Sequence, residues 1–167
     1  MRAICLGLAV VLALTGCVTT YQGPPPDLTL TGAAAEREVE KFTLSDNYWL
    51  QGYCYRIGTE SEFYSVKSIQ PIVEHVAPKA NNTIDAAKAV RTGALVAALI
   101  AVASWVAAAN VSNDSARTSY STMGWIGLGS SLGLTFAWTG MLSSAATEYN
   151  KELKSKLTPT VGMNLSF

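Results

Sequence analysis

The side chains that could do chemistry are few in this sequence, and they do not form a motif. His75 is the single histidine, and Glu74 stands beside it. One histidine without further ligands does not make a metal site, and without a thiol or hydroxyl motif it does not make a catalytic dyad. Glu60 and Glu62 are nearby carboxylates, but Thr59-Glu60-Ser61-Glu62 has the order of a helix capping box. The sequence also contains no glycine-rich phosphate loop and no G-x-S-x-G motif. It therefore predicts no enzyme, no metal site and no cofactor.

Cys17 is the exception, because it ends a short apolar segment at the N-terminus. Met1-Arg2 is followed by an apolar run over residues 4–14 and then by Leu14-Thr15-Gly16-Cys17. The run is too short to span a bilayer, which takes about 20 residues. Its order of charge, apolar run and small residues predicts a cleaved targeting segment over residues 1–16. Leu14-Thr15-Gly16-Cys17 resembles the lipobox of bacterial lipoproteins.

The resemblance implies that Cys17 becomes the mature N-terminus and carries covalent lipid. In that class the cysteine bears a diacylglyceryl thioether and an amide-linked acyl chain such as palmitate. Each buried methylene contributes about 0.8 kcal/mol, so two or more chains anchor a protein stably. An Asp directly after the cysteine retains such lipoproteins in the inner membrane. Val18 stands there in this chain, which implies the outer membrane.

The composition of the mature chain indicates one small domain without a basic surface. The full sequence has 12 Lys and Arg against 12 Asp and Glu, and cleavage removes Arg2. A charge this close to zero gives no general attraction for nucleic acid. Cys54 is the one cysteine left once Cys17 carries lipid. We expect a buried thiol there, with an intermolecular disulfide as the alternative.

The first part of the mature chain is predicted to be aqueous. Residues 17–32 are expected to form a lipidated tether, because Gly23-Pro24-Pro25-Pro26 favours an extended polyproline conformation. Residues 33–81 are expected to form a small α+β periplasmic portion. Its first helix should cover residues 33–42 with a solvated charged face. A second helix should begin at the Glu60 capping box and be interrupted by Pro71.

Residues 47–57 are rich in aromatics and are predicted to form one half-buried strand. Gly52 suggests a bulge in it and Gly58 a turn after it. The aromatic residues of this strand are Tyr48, Trp49, Tyr53 and Tyr55. Core or membrane-interface roles suit them. The alternative is an aromatic surface that binds a glycan or a peptide.

Residues 82–157 are predicted to form a long antiparallel helical hairpin that begins at the N-cap Asn82. Its two apolar spans, about 92–112 and 121–145, contain no charged residue. A polar loop is expected between them at residues 110–120. Because each span is long enough to cross the hydrocarbon core, we expect a transmembrane hairpin. A soluble hairpin inside a globular core is the alternative, because both spans are rich in Ala, Gly, Ser and Thr.

Small residues in the second span predict close helix packing. Gly129 and Gly133 form a G-x-x-x-G pair, and Gly140 extends the small-residue surface. Such surfaces allow two backbones to approach closely in lipid. We expect the partner to be the alanine-rich first helix of the same chain, with another copy as the alternative.

The hairpin and the lipid together predict sidedness. Two crossings return the chain to the side of Cys17, so the cations that flank the hairpin lie on the non-cytoplasmic side. These cations are Lys88, Arg91, Lys151, Lys154 and Lys156. In an inner membrane this arrangement would violate the positive-inside bias. It therefore favours the outer membrane, with most polar residues facing the periplasm.

Residues 158–167 are predicted to form a C-terminal strand. Val161, Met163, Leu165 and Phe167 alternate with small or polar residues. This strand is expected to pair with the aromatic strand or with the sheet of a partner. The predicted fold class is thus mainly α, with a hairpin, a small α+β portion and this strand.

The function expected from these features is structural. We expect a lipid-anchored envelope protein that acts as an accessory subunit of an outer-membrane or periplasmic assembly. Its partners would be membrane lipid and either another envelope protein or further copies of itself. One alternative is a homo-oligomeric pore lined by hairpins. Another is a periplasmic module that binds a ligand through the aromatic strand 48–55.

Overall fold

A computed structural model of the protein describes residues 19–49 and 52–158. The predicted leader 1–16, the lipidation residue Cys17 and all but the first residue of the predicted C-terminal strand lie outside the described residues. Within them, the protein is mainly helical, with four helices and one three-stranded sheet. The elements in chain order are α1 (Ala33–Phe42), β1 (Leu44–Trp49), β2 (Gly52–Ile57), β3 (Tyr64–Ser65), α2 (Val66–Val76), α3 (Pro78–Asn110) and α4 (Asp114–Leu157).

The chain divides into two compact units. One contains Asp85–Leu142 and is called the helical unit below. The other, called the mixed unit, contains the described residues of 19–84 together with 143–158. The mixed unit holds α1, α2, the sheet and the last part of α4.

The sheet of the mixed unit is antiparallel, in the order β1-β2-β3. Leu44 pairs with Ile57 and Trp49 pairs with Gly52. The aromatic stretch is therefore two paired strands and not the single strand that the sequence predicts. Gly52 is the first residue of β2 and is paired with Trp49, so it does not form a bulge.

Gly58 ends this hairpin in a turn, as the sequence predicts. Its φ of 52° lies in the left-handed region that glycine adopts without strain. A Cβ atom at this position would stand 2.5 Å from the carbonyl oxygen of Lys41. Glycine is therefore required here both by the backbone conformation and by the close approach of α1.

Helix α2 starts later than the capping box predicts. Its N-cap is Ser65, whose hydroxyl accepts a hydrogen bond from the amide of Ser68 at 3.2 Å. Pro71 lies inside this helix and does not interrupt it. Buried apolar residues on both sides of the proline, Ile69 and Ile72 among them, hold the helix against the core.

The core of the mixed unit combines residues that are distant in sequence. Its fully buried members come from α1, β2, α2 and the end of α4, and include Phe42, Tyr55, Ile57, Ile69, Val76, Tyr149, Leu153 and Leu157. The last three recur every four residues along α4, so they share one face of the helix. Cys54 is also buried, as expected for its thiol.

The two long helices differ from prediction at their ends. α3 begins at Pro78 and not after Asn82, because proline suits the first helical position, where its missing N–H is not needed. The connection to α4 is only residues 111–113, and α4 already begins at Asp114. The side-chain oxygen of Asn113 accepts hydrogen bonds from the amides of Ser115 and Ala116. This cap explains why the polar segment after residue 113 is helix and not loop.

Candidate functional site

The helical unit exposes an apolar surface. Twelve of the thirteen exposed large hydrophobic residues among those described lie in Asp85–Leu142. Phe136 is 77% exposed and Leu99 is 65% exposed. Monomeric soluble proteins rarely leave such patches uncovered, and large ones mark contact with a membrane or another protein.

Of the helices in the described part of the chain, α3 alone is long and apolar enough to cross a membrane by length and composition. A buried core helix can meet the same test, but only 22% of the apolar window of α3 is buried. α4 is at least as long as the sequence predicts, but it does not reach the hydropathy of α3. The cause is its content of Gly, Ser and Thr.

Side chains of α3 and α4 meet at several positions within the helical unit. The Trp105 and Trp125 rings pack edge to face with their centroids 5.5 Å apart. The guanidinium of Arg91 lies 5.2 Å from the centroid of the Trp138 ring.

The glycines that meet α3 are not the ones that the sequence predicts. A Cβ atom on Gly127 would stand 3.0 Å from the carbonyl oxygen of Ala97 and 3.1 Å from the Cβ of Ala101. A Cβ atom on Gly124 would lie even closer to the Trp105 ring. By contrast, a Cβ atom on Gly129, Gly133 or Gly140 would meet nothing within 4 Å.

The G-x-x-x-G pair therefore does not pack on the first helix of the same chain, which corrects the prediction. Gly129, Gly133 and Gly140 are all exposed. The sequence could not separate the two sets of glycines, because both have helical spacing in one helix. Only the rotation of α4 about its axis distinguishes them.

Most hydroxyl groups of α4 for which a hydrogen bond is resolved bond to their own helix. Thr122 Oγ1 donates to the carbonyl of Thr118 at 3.0 Å, and Thr135 Oγ1 donates to that of Ser131 at 2.8 Å. Thr118 and Ser119 bond in the same way, and Thr139 Oγ1 donates to the carbonyl of Phe136, three residues back. These hydroxyl donors do not need water, so the low hydropathy of α4 overstates its polarity.

The segment predicted to be an extended tether contacts other parts of the mixed unit. The amide of Thr19 donates to the carbonyl of Phe63 at 3.1 Å, and the amide of Ser65 donates to the carbonyl of Thr19 at 3.3 Å. The Tyr21 ring packs edge to face on Tyr64 at 5.3 Å. Pro26, the last proline of the run, is buried. Residues 19–26 thus include hydrogen-bonded, ring-packed and buried positions.

Two of the four residues of the predicted aromatic surface are core residues. Tyr55 is 0% exposed and Tyr53 is 8% exposed. A ring buried on both faces cannot stack on a ligand, so the surface interpretation is wrong for Tyr53 and Tyr55. Tyr48 and Trp49 belong to β1, but their side chains lie outside the described part of the structure.

Tyr53 instead holds a polar contact. Its hydroxyl donates to Oδ2 of Asp46 at 2.9 Å. Hydrogen bonds from Ser143 and Tyr53 lower the pKa of Asp46, although partial burial acts in the opposite direction. Burial, followed by the contact with Asp46, raises the pKa of Tyr53. The pair therefore remains a neutral donor and an ionised acceptor at neutral pH, linking β1, β2 and α4.

Asn150 makes a second link between α4 and the sheet. Its Oδ1 accepts from the amide of Leu44 and its Nδ2 donates to the carbonyl of Leu44, both at 2.8 Å. The side-chain amide of Asn150 thus pairs with the N–H and the carbonyl of Leu44 as the backbone of a neighbouring strand would. Sequence alone did not indicate this role, because Asn150 is 106 residues away from Leu44.

The residues first considered for chemistry do not come together. His75 is exposed on α2 and Glu60 accepts a hydrogen bond from Tyr64. Across residues 19–49 and 52–158, no group of three or more His, Cys, Asp and Glu side chains is placed to hold a metal ion. Comparison with protein-family models, curated proteins and solved structures finds no match for this chain.

Proposed function

We propose that this protein is a lipid-anchored bacterial envelope protein whose two long helices form a hairpin inserted in the outer membrane. Its role is that of a structural or accessory subunit of an outer-membrane or periplasmic assembly. The observation that carries the proposal is the concentration of exposed apolar side chains on the helical unit. The lipobox-like sequence ending at Cys17 supplies the second line of support.

The contacts between α3 and α4 support the hairpin. The pairs Arg91 with Trp138 and Trp105 with Trp125 run in opposite order along the two helices. The connection of three residues, 111–113, is of the length that joins antiparallel neighbours. The close approach at Gly127 supplies the backbone packing that stabilises helix pairs where no hydrophobic effect acts between them.

The internal hydrogen bonds of α4 support its insertion. A hydroxyl that donates to a carbonyl of its own helix keeps this hydrogen bond when the helix enters the hydrocarbon, so the donor is not left unsatisfied there. The exposed apolar side chains of both helices then contribute favourably. Each large one contributes about 1.5–3 kcal/mol when fully removed from water.

The outward glycine face supports a role in an assembly. Gly129, Gly133 and Gly140 leave α4 open to close approach by a further helix. We propose that this helix belongs to an envelope protein partner, with a second copy of the chain as the alternative. A pore formed by several copies is separable from an accessory role, because only the pore requires conductance in a reconstituted bilayer.

Lipidation is tested with two matched cysteine variants. The wild-type protein and Cys54→Ala should incorporate radiolabelled palmitate, and Cys17→Ala should not. The intact mass of the purified wild-type protein should correspond to a chain that begins at Cys17 and carries acyl groups. A chain that begins at Met1 and has no added mass would refute the anchoring and the sidedness inferred from it.

Insertion is tested separately from the lipid. The leader is replaced by a conventional secretory signal peptide in a Cys17→Ala background, so that the exported chain carries no lipid. We expect this chain to remain in the membrane pellet after alkaline carbonate extraction. Leu99→Lys with Ile126→Lys should release it, since each charge near the bilayer centre costs about 2.5–3.5 kcal/mol.

These two positions suit the test because both side chains are exposed in the helical unit, so charge there does not disturb its interior. Lys79→Leu, outside the apolar region, is the control for a general change in charge. If the unlipidated wild-type chain is soluble after extraction, the helices do not insert. Detergent pull-down with mass spectrometry then identifies whether the partner is another protein or the same chain.

A further inference from the structure

A cleft of about 620 Å³ lies in the mixed unit, between the docked N-terminal segment and the chain that leads into β3. Thr19 and Tyr21 line one part of it, and Lys41, Glu60, Glu62 and Tyr64 line the rest. Its volume lies within the range of small-ligand sites. All of these residues belong to one compact unit.

Several contacts hold the walls of this cleft in place. The turn at Gly58 carries the chain against the carbonyl of Lys41 and onward to Glu60. The hydroxyl of Tyr64 donates to Oε2 of Glu60 at 2.6 Å. Thr19 is fixed by its backbone bonds to Phe63 and Ser65. The cleft is therefore formed by the fold and does not depend on a free loop.

The charges that line the cleft have both signs. Lys41, Glu60 and Glu62 are all exposed to solvent. In the described part of the chain, Lys88 and Asp85 form the one ion pair within 4 Å, so Lys41 is not neutralised by either glutamate at that distance. A cation and two carboxylates that do not pair with each other suit a ligand that carries an anion and a cation of its own.

The position of Thr19 identifies where such a ligand would come from. Two peptide units separate Thr19 from Cys17, a span of at most about 7 Å of extended chain. Because Thr19 is bonded to the sheet, lipid on Cys17 would hold the cleft at the level of the phospholipid headgroups. This step rests on the proposed function.

We propose that this cleft binds the phosphoethanolamine headgroup of a membrane phospholipid, with Lys41 contacting the phosphate and Glu60 and Glu62 contacting the ammonium group. The half-buried Tyr21 ring, which lines the same cleft, adds an aromatic surface suited to a cation. The headgroup would orient the mixed unit on the membrane surface, in addition to the anchoring by covalent lipid.

The test is a titration of the full-length protein in a maltoside detergent, with binding measured by isothermal titration calorimetry. The probes are short-chain phosphatidylethanolamine, short-chain phosphatidylglycerol and free O-phosphoethanolamine. We expect phosphatidylethanolamine to bind at least about tenfold more tightly than phosphatidylglycerol, which lacks the ammonium group and so leaves the carboxylates unpaired.

Variants assign the two ends of the ligand. Lys41→Met should weaken binding of both lipids, because both carry the phosphate. Glu62→Gln should weaken phosphatidylethanolamine alone and so reduce the preference. Lys67→Met and Glu74→Gln, exposed and outside the cleft, are the matched controls, and circular dichroism checks that each variant folds.

Equal affinity for the two lipids, or equal losses in the controls, would overturn the proposal. So would tighter binding of free O-phosphoethanolamine than of the lipid, because the site would then serve a soluble zwitterion. Lipid preference is measured in detergent without requiring lipid on Cys17. A lipidated chain without preference therefore refutes this inference alone, and an unlipidated chain with preference refutes the anchoring alone.

Discussion

Substitution of Gly127 by valine tests the packing of the two long helices. A Cβ atom at residue 127 would stand 3.0 Å from the carbonyl oxygen of Ala97 and 3.1 Å from both the amide nitrogen and the Cβ of Ala101. Carbon atoms in optimal contact are about 3.5–4.0 Å apart. Valine adds two further methyl groups beyond this Cβ, so α4 must move away from α3.

The cost of this movement is set by overpacking. Inserted methyl groups in a well-packed interior typically cost about 1–3 kcal/mol. Against this, replacing glycine in a helix recovers a few tenths of a kcal/mol of backbone entropy. We therefore expect Gly127→Val to lower the free energy of unfolding of the helical unit by about 1–3 kcal/mol, or about 5- to 150-fold in the equilibrium constant.

Gly129→Val is the matched control, two residues away in the same helix. A Cβ atom there meets nothing within 4 Å, so only the small gain in helix propensity applies. Unfolding is followed by tryptophan fluorescence during titration of detergent-solubilised protein with dodecyl sulfate, because the Trp105 and Trp125 rings pack together. A loss at Gly129 equal to or greater than that at Gly127 would refute the assigned faces of α4.

Three further predictions concern the mixed unit. Asn150→Leu removes the two hydrogen bonds that Asn150 makes to the amide and the carbonyl of Leu44. The free energy of opening measured by amide exchange in β1 should therefore fall by about 2–4 kcal/mol. A decrease no larger than that caused by Lys151→Leu would contradict this. The pKa of Asp46 is lowered in the folded state, mainly by hydrogen bonds from Ser143 and Tyr53. The ionised carboxylate therefore makes its full contribution to the free energy of unfolding above about pH 4, and this contribution is lost as the pH falls through the pKa of the folded state. The difference in Tm between the wild-type protein and Asp46→Asn should therefore narrow from pH 7 to pH 3, and a constant difference would be evidence against this linkage. Burial raises the pKa of the Cys54 thiol, so a water-soluble maleimide should label it at least about tenfold more slowly in the folded than in the denatured protein, as read by mass spectrometry; equal rates would show that the thiol is accessible.

Local features of the sequence were enough to predict most of the helices. The helix over residues 33–42 has the bounds that its composition predicts. The long proline-free stretch after residue 82 is helical, and the spacing of Tyr149, Leu153 and Leu157 predicts the face that the structure buries. These properties depend on helical periodicity and on helix-breaking residues within a few turns. They can therefore be predicted from short stretches of sequence.

Local sequence patterns do not predict contacts between residues that are far apart in the chain. The composition of the polyproline segment predicts an extended tether. Its docking depends on Thr19 pairing with Phe63 and Ser65, which no local pattern encodes. Likewise, the sequence predicts a helix start at the Thr59–Glu62 capping box, but the structure caps α2 with Ser65, which pairs with Cys54 of β2.

The sequence by itself determined the lipobox-like motif at Cys17, the two long helices and the presence of a single histidine, because each is a property of residue types in order. Tertiary structure alone decided which glycines of α4 meet α3, which tyrosines are buried, and that Lys41, Glu60 and Tyr21 line one cleft. The physical reason is that side-chain surroundings depend on the rotation and register of packed elements. A difference of one or two residues in register exchanges an inward face for an outward one, while the periodicity of the sequence stays the same.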